Sequence, residues 1–445
     1  MGRTTATMPL RPTIYQMHRA TAMIMLSSPP IPRGSRFVDA IHPVPVATTV
    51  KAASTKAMEA AFRSLLEFNP RTMDEIMGIT NIYRRLGSPV ELFLNWASVI
   101  AEGVTSNTHW ALAFSDGMRA INAVLEFQLV PGDEVIVSKP LYGCTDNYFA
   151  GLAPRRGYTV KAVDLTDPQM ILSALSPKTR IIYFETVTNP NLRVYDLETI
   201  SRLAKGEDPN IMLVTDNTFP SPAGCNPLLH GADMVVHSMT KALGGFSQEM
   251  GGVAIVPKDK WMELFLHRKD TGGVIAPEQA HAVLTRGLPS LYTRFMGMQA
   301  NAKAVAEYLD RSPYIASVSY PGVDNSPYSE NARRLLTDWD GQFAPGFMIA
   351  FVPAGRDSRN RVGNARRMID YIARHGEGVI KHAVSLGGVS SLIEMPFLGT
   401  HATVSNDDKI RWGVDKAMIR FSVGLAHSGD QIALLEDAIK YAYGA

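Results

Sequence analysis

Thiols are scarce in this chain, with two cysteines, Cys144 and Cys225, in 445 residues. Two is too few for a disulfide framework and suits a reducing compartment. Also missing is any stretch of about eighteen or more apolar residues, the length a membrane-spanning helix needs, so an integral helical membrane protein is excluded. There is no excess of one charge either: 44 basic residues against 42 acidic ones leave a formal +2. A protein that tracks nucleic-acid phosphates needs a concentrated basic surface, and none is present. Gly-Lys-Ser/Thr never occurs, which rules out a nucleotide P-loop. What remains is ordinary globular composition, 46% hydrophobic and 19% charged, incompatible with a disordered or collagen-like chain. The length suits up to three domains, or one large α/β domain and a smaller one.

Acidic residues are absent from the first 38 positions, which carry Arg3, Arg11, Arg19, Arg33 and Arg36. Without those five, 39 basic residues face 42 acidic ones, and the body of the chain is slightly acidic. A Ser/Thr- and Pro-rich, acid-free start is compatible with an organellar transit peptide. The preferred reading is a mobile arm, or an arm lying on a neighbouring subunit, in a cytoplasmic protein. The apolar run Ala22-Met23-Ile24-Met25-Leu26 is brief for a signal peptide and ends in Ser-Ser-Pro-Pro-Ile-Pro, not a small-residue cleavage site.

From about residue 90 the chain alternates short apolar strands with helical patterns. Residues 110–114, 134–137, 180–184, 211–214 and 234–236 read as buried strands, often β-branched and bounded by Gly, Pro, Asp or Ser. After Ser115-Asp116-Gly117, the spacing of Met118, Ile121 and Leu125 predicts a helix. Such alternation predicts an α/β fold, a mostly parallel sheet with helices on both faces and ligands beyond the carboxyl ends of its strands. Past residue 290 a long helix over 294–309 leads into fewer strands, at 347–352, 379–384 and 418–423. A last amphipathic helix carries Ile432, Leu435 and Ile439. This reads as a smaller C-terminal α+β domain. The expected division is an arm and linking segment over 1–90, an α/β domain over 91–290 and the second domain over 291–445.

The strongest local signal is Val235-Val236-His237-Ser238-Met239-Thr240-Lys241-Ala242-Leu243-Gly244-Gly245. A buried strand delivers two hydroxyls and a lysine to a glycine-rich turn. Hydroxyls and turn amides suit a phosphate, and a lysine beside them suits an imine with a phosphorylated aldehyde. The plainer reading is a capping hydroxyl followed by a surface lysine. Upstream, Ile211-Met212-Leu213-Val214-Thr215-Asp216 ends an apolar strand in a carboxylate, which needs a partner such as a protonated pyridine nitrogen, or else caps its own turn. Tyr183-Phe184-Glu185-Thr186-Val187-Thr188-Asn189-Pro190 repeats the layout, and there Asn189-Pro190 is also a plain turn initiator. In Pro140-Leu141-Tyr142-Gly143-Cys144-Thr145 a tyrosine follows another strand, placed to stack on a flat ring or simply to pack. Arg420, in Ile419-Arg420-Phe421-Ser422-Val423-Gly424, sits in an apolar strand and wants a carboxylate, from substrate or from the protein. Gly245-Phe246-Ser247-Gln248-Glu249 begins like a nucleophile elbow but lacks the closing glycine, so Ser247 reads as structural.

Taken in order, these segments resemble the Cys/Met-metabolism family of pyridoxal-phosphate enzymes, from about Ile41 to the C-terminus. The resemblance implies the aspartate-aminotransferase-like fold of type I pyridoxal-phosphate enzymes, with pyridoxal 5′-phosphate as cofactor and an amino-acid substrate. It implies that Lys241 is the Schiff-base lysine and that Ser238, Thr240 and the backbone of Gly117 and Met118 bind the phosphate. Asp216 would pair the pyridinium and Tyr142 would stack on the ring. Asn189, Ser385 and Arg420 would hold the cofactor O3′ and the substrate carboxylate. Tyr83 and Arg85 resemble the family's Tyr-x-Arg pair, which reaches the phosphate of a neighbouring subunit and so implies a homodimer, usually assembled as a tetramer. Ser88, Phe246 and Gln248 depart from the usual family pattern.

Within the family, cystathionine-cleaving members tend to carry acids where this chain has Ile82 and Val384, so a distal ammonium would lack its partners. Leu141-Tyr142-Gly143-Cys144-Thr145 and Lys269-Asp270 resemble methionine γ-lyases, with Cys144 near the substrate thioether. The expectation is α,γ-elimination on methionine or a similar γ-substituted L-amino acid. Lys241 would move the Cα and Cβ protons, Tyr142 would serve as general acid, and Arg85 would help set the tyrosine's proton state. The alternatives are γ-replacement on an O-acylhomoserine and γ-cleavage of cystathionine or canavanine.

Overall fold

The computed structural model describes residues 14–28, 41, 42, 44, 47, 49, 52–66, 83–323, 327–376 and 378–444. Its larger sheet contains β1 (His109–Phe114), β2 (Glu134–Ser138), β3 (Thr159–Val163), β4 (Thr179–Glu185), β5 (Met212–Asp216), β6 (Met234–Ser238) and β7 (Gly252–Pro257), in the order β1-β7-β6-β5-β4-β2-β3. From β6 to β3 every neighbouring pair is parallel. Because β7 is antiparallel to both β1 and β6, it alone runs against the rest. The carboxyl ends of β1, β2, β4, β5 and β6 therefore share one edge, where such sheets bind ligands.

The strands read as continuous apolar runs because both faces are covered. Successive residues alternate between two cores, with Ile182 and Phe184 packed into one and Ile181 and Tyr183 into the other. The strands expected from sequence lie within one or two residues of those observed, and four further strands carry weaker signals. Edge strand β3 is half-exposed and carries Lys161, so no apolar run marks it. β7 is apolar throughout but starts directly from Gly251-Gly252, which read as the end of a loop.

A smaller sheet, ordered β10-β11-β12-β9-β8, comprises β8 (Ile315–Ser319), β9 (Met348–Pro353), β10 (Ile380–His382), β11 (Ser391–Glu394) and β12 (Ile419–Ser422). β8 is a half-exposed edge and β11 is only four residues long, so periodicity picks out neither. The strand expected over 379–384 shrinks to β10. The chain leaves the sheet after His382 and reaches Ser385 at φ 84°, a left-handed conformation outside any strand.

Helix Leu288–Arg311 begins six residues before its expected start and crosses the division drawn at 290. It buries Leu288, Leu291, Phe295, Met298, Ala302, Val305 and Leu309, the 3-4 spacing of one helical stripe. Against it, and against helix Pro89–Ala101, lies helix Arg19–Leu26, with Ala22, Met23 and Leu26 fully buried. Arg19 Nη1 donates to the Ala101 carbonyl at 3.3 Å and to Asn226 Oδ1. This part of the N-terminal arm packs on helices of its own chain. Burying Met23 and Leu26 is worth roughly 1.5–3 kcal/mol each. No described helix is long and apolar enough to cross a membrane.

Candidate active site

At the carboxyl edge of the larger sheet, roofed by the loop after β10 and by β12, lies a cavity of about 280 Å³. Gly117, Met118, Tyr142, Asn189, Asp216, Ser238, Thr240, Lys241, Ser385 and Arg420 all line it. The folding chain thus brings together ten of the thirteen residues singled out from sequence, from five strand ends and the second domain.

One wall is built for an anion. Helix Gly117–Gln128 opens onto the cavity, capped by Asp116, whose Oδ1 accepts from Arg119 N at 2.8 Å. The first amides of such a helix lack intrahelical acceptors and carry the positive end of its dipole. A Cβ added at Gly117 would sit 2.8 Å from Ser238 Cβ, so only glycine lets the helix start press against the strand-end hydroxyl. Ser238 and Thr240 complete this wall.

The opposite wall carries Asp216. Its Oδ1 accepts from Thr218 N at 3.0 Å, so the residue caps its own turn while still lining the cavity. Burial pushes its pKa up, opposed by the Thr218 hydrogen bonds and by His237. A cationic ring nitrogen beside Asp216 would relieve that cost. Lys241 lies on the same cavity, its Nζ donating to Ser385 Oγ at 2.6 Å. Burial, reinforced by Arg420, lowers this amine to about 8, which makes it a better base and nucleophile near neutrality. Ser385 holds its left-handed backbone as a non-glycine, a conformation costing about 1–3 kcal/mol and concentrated at functional sites. An anion cradle, a buried carboxyl and an activated amine on one cavity fit pyridoxal phosphate at its phosphate, ring nitrogen and aldehyde.

Arg420 is buried in β12. It donates from Nη1 to Asn189 Oδ1 at 2.9 Å and from Nη2 to the Ser385 carbonyl at 3.4 Å, and it pairs with Glu394. Glu394 escaped the sequence reading, as did Glu185 and Thr218. Glu185 lies at the end of β4, directly opposite Asp216 on β5, and accepts from the Tyr142 and Asn189 amides at 2.6 Å each. Its place at a strand end matches that of Asp216, the one signal that could have found it. Burial and the Asp216 carboxyl raise its pKa to about 8.

Burial pushes the Tyr142 pKa well up, so the phenol keeps its proton, and the Cys144 thiol donates to its oxygen at 3.4 Å. Arg420 is the cation that opposes this shift. Within its own chain, Arg85 Nη1 donates to the Lys269 carbonyl at 2.6 Å. Tyr83 is exposed, and neither it nor Arg85 lines the cavity of its own chain. Cys144 is exposed and reaches the site through Tyr142. Val384 lines the cavity; Ile82 lies outside the described residues. Ser88 is the N-cap of helix Pro89–Ala101, a role it shares with asparagine. Phe246 places its ring 5.1 Å from the Arg286 guanidinium and 5.3 Å from that of Arg294. Ser247 is exposed and off the cavity.

This fold and this site define a pyridoxal-phosphate-dependent enzyme. The description of the Cys/Met metabolism PLP-dependent enzyme family matches residues 45–440, and the chain belongs to that family. It is 34% identical over 363 residues to an L-methionine gamma-lyase of Fusobacterium nucleatum subsp. polymorphum, covering 81% of this chain and 86% of that relative. It is also 34% identical over 326 residues to a cystathionine gamma-lyase of Bacillus subtilis, covering 73% and 80%. Among solved structures it resembles a cystathionine gamma synthase from Xanthomonas oryzae pv. oryzae in complex with cystathionine, at a TM-score of 0.81 and 29% identity, covering 96% and 98%.

Proposed function

We propose that this enzyme carries out α,γ-elimination on methionine or a similar γ-substituted L-amino acid, releasing 2-oxobutanoate, ammonia and a thiol. The observation that carries this reading is the joint placement of Lys241, Asp216 and a protonated Tyr142 around one cavity that also presents Arg420. Bound pyridoxal phosphate supplies the electrophilic aldehyde and the electron sink. Gly117, Met118, Ser238 and Thr240 would hold its phosphate, Asp216 its ring nitrogen, and Lys241 its aldehyde carbon. Arg420, with Asn189 and Ser385, binds the substrate carboxylate. The Lys241 amine, lowered to about 8, takes the proton from Cα and then moves the one at Cβ. Tyr142 keeps its phenolic proton in the cavity and delivers it to the departing γ-sulfur.

An apolar Val384 on the cavity favours a substrate without a distal charge, as in methionine. The likeness to cystathionine gamma synthase supports γ-replacement as the second reading. Tyr83 and Arg85, off their own cavity, are assigned to the phosphate site of a neighbouring subunit in a homodimer or homotetramer. The test is a substrate panel on purified protein, following keto-acid release with and without an added thiol. Release of 2-oxobutanoate from methionine alone is expected. Turnover only of an O-acylhomoserine with a thiol would make the protein a transferase.

A further inference from the structure

The peptide group that joins Leu141 to Tyr142 is held at both of its ends by residues from different domains. Its N–H, that of Tyr142, donates to Glu185 Oε1 at 2.6 Å, and Glu185 Oε2 accepts the Asn189 N–H at 2.6 Å. Asn189 Oδ1 accepts from Arg420, Arg420 pairs with Glu394, and Glu394 Oε1 accepts the Thr400 hydroxyl at 2.9 Å. Thr400 Oγ1 lies 3.2 Å from His401 Nδ1, and His401 Nε2 lies 3.1 Å from the carbonyl of Leu141, the residue before Tyr142. The Thr400 hydroxyl has one hydrogen and gives it to Glu394, so the hydrogen-bonded path runs from Tyr142 to Thr400, while His401 holds the Leu141 carbonyl separately.

A carbonyl can only accept, so Nε2 of His401 must carry a hydrogen. Burial and Arg420 lower this imidazole to about 4, which keeps the ring neutral. Glu185, Asn189, Glu394, His401 and Arg420 are each at most 4% exposed. Hydrogen bonds among groups so deeply buried are costly to leave unmade and stiffen the groups they join.

We propose that Glu185 and His401 are positioning residues for the elimination, one anchoring the N–H and the other the carbonyl of the peptide that precedes the Tyr142 side chain, so that the phenol is set against Asn189 and Arg420. The inference rests on the acid role given to Tyr142 above. A phenol displaced by even an ångström would donate poorly to a γ-substituent while leaving the carboxylate grip of Arg420 nearly intact.

The experiment compares His401→Leu, His401→Gln and Glu185→Gln with wild type in the cofactor-loaded enzyme, measuring kcat and KM for methionine and the visible circular dichroism of the bound cofactor. Leucine removes the donor to Leu141, whereas glutamine can restore it from its amide nitrogen. Glu185→Gln turns an NH₂ toward one of the two backbone donors. His401→Leu and Glu185→Gln should each lose about tenfold or more in kcat with little change in KM, and should alter the dichroism. His401→Gln should recover most of both. A kcat for His401→Leu within about twofold of wild type, or a His401→Gln as impaired as His401→Leu, overturns the assignment. If the variants do not fold, hydrogen exchange on the wild type decides: slow exchange at the Tyr142 and Asn189 amides supports the anchoring, and fast exchange at either overturns it. That measurement needs no turnover, so a wild type inactive on methionine would sink the functional reading without deciding the anchoring.

Discussion

Arg420 meets Glu394 inside the protein before any substrate arrives: the two side chains form a buried ion pair, each at most 4% exposed. An incoming carboxylate must therefore share a guanidinium that is already neutralised. Two like charges on one cation in a poorly screened site repel by an amount on the order of a kcal/mol or more. Glu394→Gln keeps an acceptor for Arg420 and for the Thr400 hydroxyl but removes the competing charge. The KM for the amino-acid substrate should fall by about tenfold, the equivalent of ~1.4 kcal/mol, with kcat less affected. Steady-state kinetics checks this, and an unchanged KM would show that Glu394 does not compete.

Lys241→Ala removes the only amine that lines the cavity among the described residues. Turnover should drop by at least about a thousandfold, since proton movement at Cα and Cβ loses its carrier. Far-ultraviolet circular dichroism should stay unchanged, because among the described residues the side chain makes a single hydrogen bond, to Ser385 Oγ. Substantial residual elimination would remove Lys241 from its role.

Glu185 makes stability depend on pH. Its pKa is about 8 in the folded protein against an ordinary 4.5, so between those values the folded state keeps a proton that the unfolded state has released. Stability contributed by the protonated carboxyl is then complete below about pH 4.5 and is lost as pH rises toward 8, with a slope of at most ~1.4 kcal/mol per unit. Denaturant midpoints at pH 5, 6, 7 and 8 should fall for wild type relative to Glu185→Gln, which has no charge to acquire. Parallel curves would mean that the carboxyl ionises in its ordinary range.

Gly117→Ala tests the anion cradle. The added methyl would press on Ser238 Cβ, and either the helix start or the strand end must shift. Overpacking of this kind costs roughly 1–3 kcal/mol. Cofactor affinity, titrated by its visible absorbance, should weaken by about tenfold or more, in line with that cost. Retained affinity would show that the wall can give way.

Segments whose role needs only their own neighbours were legible from the chain. Ser238, Thr240 and Lys241 share one turn after a buried strand, and Asp216 ends another, so periodicity and spacing point to them directly. The apolar run Ala22–Leu26 is visible in the chain, but the helices that the Arg19–Leu26 helix packs against are revealed only by the fold. β3, β8 and β11 were overlooked because strands that are half-exposed or very short carry no buried run.

Local order therefore came with the linear chain: alternating apolar strands and helices specify the layered sheet, and strand-end polar residues specify which edge carries chemistry. Tertiary structure alone decided the partnerships. Tyr142 finds Glu185 across 43 residues, Asn189 finds Arg420 across 231, and His401 finds Leu141 across 260. A hydrogen bond between groups so far apart in sequence leaves no periodic trace, because its geometry exists only once distant elements have packed and excluded the water that would otherwise satisfy each group.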